Sequence, residues 1–236
     1  MNPYQKLQQR KRTWTPVQTT AGTVRDGSQE TIYRALAMRH MELPVGSFIQ
    51  DALSEIPALS ADLLRSNVKD EENHDLALGY IANALGVDET AEAEAKRLRD
   101  AWTAHPDHTV LKALVAERAI FFVLLPFFRF NGDAGLRTVS ADISRDEQVH
   151  VAANSLVCKE LGLEISPSLD KLRKATINWV MSPLKASTNK YLDKKFWLDA
   201  SDRLMYEGKA PELSDTKRAC MPAFFEHANP NLPQYA

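Results

Sequence analysis

Two pentapeptides, Asp70-Glu71-Glu72-Asn73-His74 and Asp146-Glu147-Gln148-Val149-His150, share the layout Asp-Glu-x-x-His, each inside a stretch patterned as helix. In a helix the Glu and His of each unit lie on one face, a turn from each other. A single Glu-x-x-His is common as surface charge on an amphipathic helix. Two copies, with Glu117 between them on an apolar helix, are what a four-helix bundle needs to hold two metal ions. The repeat thus constrains the chain to an all-α bundle.

The flanking sequence agrees, because no stretch alternates convincingly as a strand. Residues 1–27 read as a polar, extended N-terminal arm with a basic pair, Lys11 and Arg12, and one aromatic anchor, Trp14. Residues 28–206 form the helical domain. Its first helix is expected from Ser28 to about Leu53, kinked where Pro44 and Gly46 interrupt it. The second runs from about Ser60 to Leu85 and is closed by Gly86. Ala91 to Thr103 reads as a short, charged surface helix. Pro106-Asp107 then caps an apolar helix from His108 to Phe130, in which Pro126 should kink the last turns. A fourth long helix spans about Ala134 to Leu161 and ends at Gly162. Two more are expected: one from an N-cap at Ser166, with Pro167 first, to Val180, and one from about Leu184 to Tyr206. Residues 207–236 form a C-terminal tail, rich in Pro and Asn, with little helix.

A chain of 236 residues can bury one good core. A net charge of −2 argues against nucleic acid as the main partner. The most apolar run, Ala119 to Phe128, is too short to span a bilayer, so no membrane is expected. Cys158 and Cys220 form no ligand spacing, and no signal peptide is evident. A reducing cytoplasm is the expected location.

A dimetal carboxylate site takes one Glu from each of two helices and a Glu-x-x-His from each of the other two. Glu71, His74, Glu147 and His150 supply the second kind, and Glu117 one of the first. The sixth ligand must come from the first helix, where Glu42 is the choice and Glu30 the fallback. Hard carboxylates can bridge two cations, and neutral imidazoles complete an iron or manganese sphere. A metal-bound His usually gives its other ring N–H to a carboxylate. By the pseudo-twofold symmetry of such bundles, Asp146 should serve His74 and Asp70 should serve His150. Arg118 could instead pair with Glu117, a structural alternative to metal. His40, His105, His108 and His227 lack a partner pattern and read as solvated or capping.

Glu117-Arg118-Ala119-Ile120-Phe121-Phe122, followed by Ile143-Ser144-Arg145-Asp146-Glu147-Gln148-Val149-His150, resembles the small, radical-generating subunit of class I ribonucleotide reductase. In that family the third-helix Glu is followed one turn later by a Phe against the metals, here Phe121. The fourth helix there carries Ile-x-Arg-Asp-Glu-x-x-His. Phe224-Phe225-Glu226 resembles the Phe-Phe-Glu before that family's tail, and Trp14-Thr15-Pro16 its N-terminal Trp-x-Pro. The resemblance is specific over about Glu117 to Leu156 and general over the first two helices. It implies a ferritin-like four-helix bundle core with additional helices and extended termini, a homodimer, and two metal ions per chain. It also implies docking on a separate large subunit through the C-terminal tail. Tyr235 and Trp14 are then the residues implied to carry the radical.

Two departures matter. Where the family usually stores its radical on a Tyr one turn after the first His, this chain has Leu78, and Tyr80 falls on a different face. The oxidising equivalent is then expected on the metals themselves or elsewhere. The all-Glu carboxylate set resembles the branches lacking that tyrosine, where iron, manganese with iron, or manganese alone is possible. The interval from His74 to Glu117 is also short, leaving room for one small extra helix. Three functions compete: the radical-generating subunit, a di-iron oxygenase or desaturase with its own substrate, and a ferritin-like iron-binding protein. The aromatic plug around Phe121 favours the first over the second, and the extra helices and long tail disfavour the third.

Overall fold

Helix after helix in this chain starts on a polar cap and stops at a glycine. The side chains of Asp88, Asp133 and Ser166 accept the N–H of Ala91, Leu136 and Leu169, each satisfying a donor that a helix start leaves free. Gly86, Gly162 and Gly208, at φ of 91°, 65° and 69°, turn the chain out of three helices through the left-handed region. The computed structural model describes residues 1–213, in which helices are joined by turns and irregular segments and one isolated β-bridge takes the place of any strand. Tyr235, His227, Cys220 and Phe224-Phe225-Glu226 lie outside the described residues.

The helices are α1 (Pro3–Gln8), α2 (Gln29–Ala37), α3 (Glu42–Ala52), α4 (Ala61–Leu85), α5 (Glu89–Ala104), α6 (Thr109–Ala116), α7 (Phe122–Asn131), α8 (Ala134–Glu160), α9 (Pro167–Met181) and α10 (Lys194–Glu207). α3 packs on α4 and α6, α4 on α8, and α6 and α7 on α8, so these helices close a four-sided ring. α2, α5, α9 and α10 pack outside it. Fully buried Leu64, Phe127, Phe128, Trp102 and Trp197 make up much of the core. Each such side chain contributes on the order of 1.5–3 kcal/mol. No helix among the described residues is long and apolar enough to cross a membrane.

The structure departs from the sequence reading at four places that bear on the site. The first helix breaks upstream of Pro44 and Gly46, in a 3-10 turn at Met38–Met41. Pro44 sits in the first turn of α3, where no backbone N–H is needed, so it starts a helix instead of kinking one. The apolar third helix deviates at Glu117–Phe121, a π-helical turn, and Pro126 is accommodated inside α7. There the Phe122 N–H reaches back to the Glu117 carbonyl, which inserts one extra residue at the carboxylate that matters. The cap of α6 is His108 itself, whose Nδ1 accepts the Val110 N–H at 3.2 Å. Finally, the last helix starts at Lys194, after a 3-10 turn at Lys190–Leu192, because Asp193 caps it.

The N-terminal arm is docked. Asn2 and Gln5 form a capping box for α1, Tyr4 and Leu7 are buried, and the Tyr4 hydroxyl donates to Glu160 at 2.8 Å. α1 lies against α8 and α4 and leads Lys11, Arg12 and Trp14 onto the same two helices.

Candidate metal centre

Four helical segments each deliver a carboxylate to the interior of the ring. Glu42 opens α3, Glu71 and His74 face inward from α4, Glu117 begins the π turn, and Glu147 and His150 face inward from α8. All six are at most 2% exposed. The 3-10 break after α2 places Glu42 inside, whereas Glu30 is exposed and pairs with Arg34 at 2.7 Å, which removes it as the fallback.

The six converge around two imidazole nitrogens. His74 Nδ1 lies 3.4 Å from Glu71 Oε2, 3.4 Å from Glu147 Oε1 and 3.7 Å from Glu42 Oε2. His150 Nδ1 lies 3.0 Å from Glu71 Oε1, 3.8 Å from Glu147 Oε2 and 3.8 Å from Glu117 Oε1. Glu71 and Glu147 therefore present one oxygen to each histidine, while Glu42 approaches His74 and Glu117 approaches His150. Glu42, Glu71, His74 and Glu147 each offer an atom with all four within 4.8 Å of one another, as do Glu71, Glu117 and His150. Each group could hold a metal ion.

Hydrogen bonding gives the fit test. Both oxygens of Glu42, Glu71 and Glu147, one oxygen of Glu117, and the Nδ1 atoms of both histidines are buried without a hydrogen-bond partner. So many orphaned acceptors in one place would cost several kcal/mol each if left uncompensated. Four carboxylates with two neutral imidazoles carry the charge that two divalent cations cancel. The donor set fits a pair of hard or borderline cations.

The electrostatics of the bare cluster say the same. Burial raises the carboxyls of Glu42 and Glu117 well above the usual range, helped by neighbouring carboxylates. Burial also opposes ionisation of Glu71, but the His150 and His74 imidazoles beside it, at 3.0 and 3.4 Å, outweigh burial and hold that carboxyl low. For His150 burial disfavours the charge, yet Asp70 and Glu71 lift it to about 10; for His74, Asp146 and the surrounding glutamates overcome burial and hold it well above its usual range. Protons thus occupy this cluster where cations are absent. Metal loading at neutral pH is therefore expected to release protons, and affinity to rise steeply with pH. Calorimetric titration in buffers of different ionisation enthalpy measures the count, and a buffer-independent heat would contradict the expectation.

Behind each histidine stands the expected carboxylate. His74 Nε2 lies 3.3 Å from Asp146 Oδ2, and His150 Nε2 lies 2.9 Å from Asp70 Oδ2. The arm then holds each Asp differently. Trp14 Nε1 donates to Asp146 Oδ2 at 2.6 Å, with Arg12 Nε at 3.8 Å from the other oxygen. Lys11 forms an ion pair with Asp70 and donates to Asn67 Oδ1 at 3.0 Å. Asn154 Nδ2 donates to Glu117 Oε2 at 2.7 Å, which fixes that carboxylate. Arg118 turns away to Ser155 at 2.6 Å, so it does not neutralise Glu117.

Phe121, in the π turn, and Leu78, one turn beyond His74, are both buried in the core. Tyr80 is partly exposed. His40 pairs with Glu92 at 2.5 Å and His105 Nδ1 lies 3.7 Å from Asp107, so both serve structure. Sequence reasoning missed Asn154, Asn67 and Lys11. Asn154 stands four residues past His150 on the same helix face, a signal that was available. Lys11 was visible only as part of a basic pair, and nothing local aims it at Asp70. No protein-family model, curated protein or solved structure matches this chain.

Proposed function

We propose that this chain is the radical-generating small subunit of a class I type ribonucleotide reductase. It would be built on a ferritin-like four-helix bundle and act with a separate large subunit in the cytoplasm as a homodimer. One observation carries the reading: the hydrogen-bonded line from Trp14 Nε1 through Asp146 Oδ2 to His74 Nε2, at 2.6 and 3.3 Å. A self-contained oxygenase brings its substrate to the metals and has no need of an indole tied to a ligand from outside. Such a line suits a protein that moves an oxidising equivalent outward.

Glu42, Glu71, His74, Glu117, Glu147 and His150 would hold two ions of iron, of manganese, or one of each. Bound there, the pair would supply a one-electron oxidising equivalent after reaction with dioxygen or a reduced oxygen species. The chain's own part is positional. Asp146 fixes the His74 tautomer and accepts the indole proton, so an electron can leave Trp14 while its Nε1 proton shifts to Asp146 Oδ2. Hydrogen bonds to His74 and Trp14 outweigh burial and hold the Asp146 carboxyl below its usual range, which keeps it an acceptor. Leu78 offers no phenol to intercept the equivalent beside His74.

The tail supplies the test. Deleting 230–236 is expected to leave metal content and dimer intact and to remove ribonucleotide reduction with the large subunit. Tyr235→Phe is expected to bind that subunit without turnover. Assays of reduction and of subunit binding check both. Full activity of the truncated chain would move the oxygenase or desaturase reading to first place.

A further inference from the structure

Between α3 and α4 a surface cavity of about 200 Å³ opens, lined by Leu43, Gly46, Ser47, Gln50, Val68, Glu71 and Glu72. Leu43, Ser47, Gln50 and Glu72 are exposed at its mouth, while Gly46 and Glu71 are buried at its floor. Glu71 is one of the six inward-facing ligands, and both of its oxygens lack hydrogen-bond partners. At this point one side chain separates solvent from the centre.

Gly46 makes the wall thin. A Cβ there would stand 3.4 Å from Glu71 Cβ, 3.5 Å from Glu71 Cγ and 3.6 Å from Val68 Cγ1, so any larger side chain would fill the floor. A helix-interior glycine costs about 1 kcal/mol relative to alanine, and here an alanine would fit at ordinary contact distance. Packing alone therefore gives no reason for the glycine. Beside Leu43, the mouth offers the Glu72 carboxylate, the Gln50 amide and the Ser47 hydroxyl, groups that can hold the water shell of a cation, and at roughly 30 Å³ per water the cavity holds on the order of six waters. Glu71 also belongs to both ligand groups, so an ion reaching it can pass to either.

We infer that this groove is the loading port through which hydrated divalent cations enter the centre, with Glu72 at its mouth and Glu71 as its receiving ligand. The inference rests on the metal-centre reading above. The test is the rate of Co(II) uptake by metal-free full-length protein, followed by absorbance in a stopped-flow instrument. Ser47→Trp covers the exposed mouth with little risk to folding, and Gly46→Leu fills the floor. Both are expected to reach the wild-type Co(II) content at least about tenfold more slowly. Glu72→Gln is expected to slow uptake about threefold and to weaken its salt dependence. Wild-type uptake rates in both Ser47→Trp and Gly46→Leu would overturn the port. Absence of Co(II) binding by the wild-type chain would instead remove the metal-centre reading itself, so the two failures are distinguishable.

Discussion

Under the proposed function, Trp14→Phe is expected to keep both metal ions and to lose ribonucleotide reduction by about three orders of magnitude or more, a barrier change of roughly 4 kcal/mol. The Trp14 ring stacks near His74, with centroids 6.3 Å apart, and phenylalanine preserves most of that packing. What disappears is the Nε1 donor at 2.6 Å from Asp146 and an indole that can be oxidised. Asp146 still has His74 and the Arg12 guanidinium, so the histidine keeps its tautomer and the cluster its ligands. Metal analysis beside steady-state turnover with the large subunit separates the two effects. Turnover within a few-fold of wild type would mean that the oxidising equivalent leaves by another route.

Glu42→Met is expected to act with opposite signs on the two forms of the protein. Without metal, Glu42 is fully buried, has no hydrogen-bond partner, and faces the carboxylates of Glu71 and Glu147. Exchanging it for an apolar side chain of similar size removes a desolvation cost, so the metal-free variant should be more stable by about 1–3 kcal/mol. With metal present, the wild type gains stability by mass action, about 2.7 kcal/mol at a hundredfold excess over Kd. The variant should lose most of that gain at the His74 subsite. Thermal melts with and without Mn(II) measure both. A metal-free variant less stable than wild type, still binding two ions, would make Glu42 a structural residue.

The fold was legible where periodicity and punctuation coincide. Gly86, Gly162 and Ser166-Pro167 mark helix ends that the structure places within a residue of expectation, because caps and left-handed glycines act locally. The break at Met38–Met41 was not legible, since none of its residues disfavours a helix; it follows from how α3 packs on α4 and α6. The π turn at Glu117–Phe121 was likewise not legible, since Glu, Arg, Ala, Ile and Phe all fit an ordinary helix turn. For the cluster, the duplicated Asp-Glu-x-x-His carries its geometry in its spacing, so Glu71, His74, Glu147 and His150 with their crossed Asp partners converge. The arm was the least legible part. Its residues have no helical period linking them to α4 or α8, yet Lys11 and Trp14 reach the two histidine-backing carboxylates.

That arm makes the two halves unequal. An ammonium group holds the Asp70–His150 pair and an indole holds the Asp146–His74 pair, so the pseudo-twofold relation ends at the second layer of contacts. Among the described residues the indole lies on the His74 side alone.

The most direct measurement is anomalous scattering at the iron and manganese edges from a crystal of metal-loaded protein. Two peaks are predicted. One lies among Glu42, His74 and one oxygen each of Glu71 and Glu147, and the other among Glu117, His150 and the opposite oxygens. No peak inside this cluster, or a single ion held elsewhere in the chain, would contradict the dimetal centre.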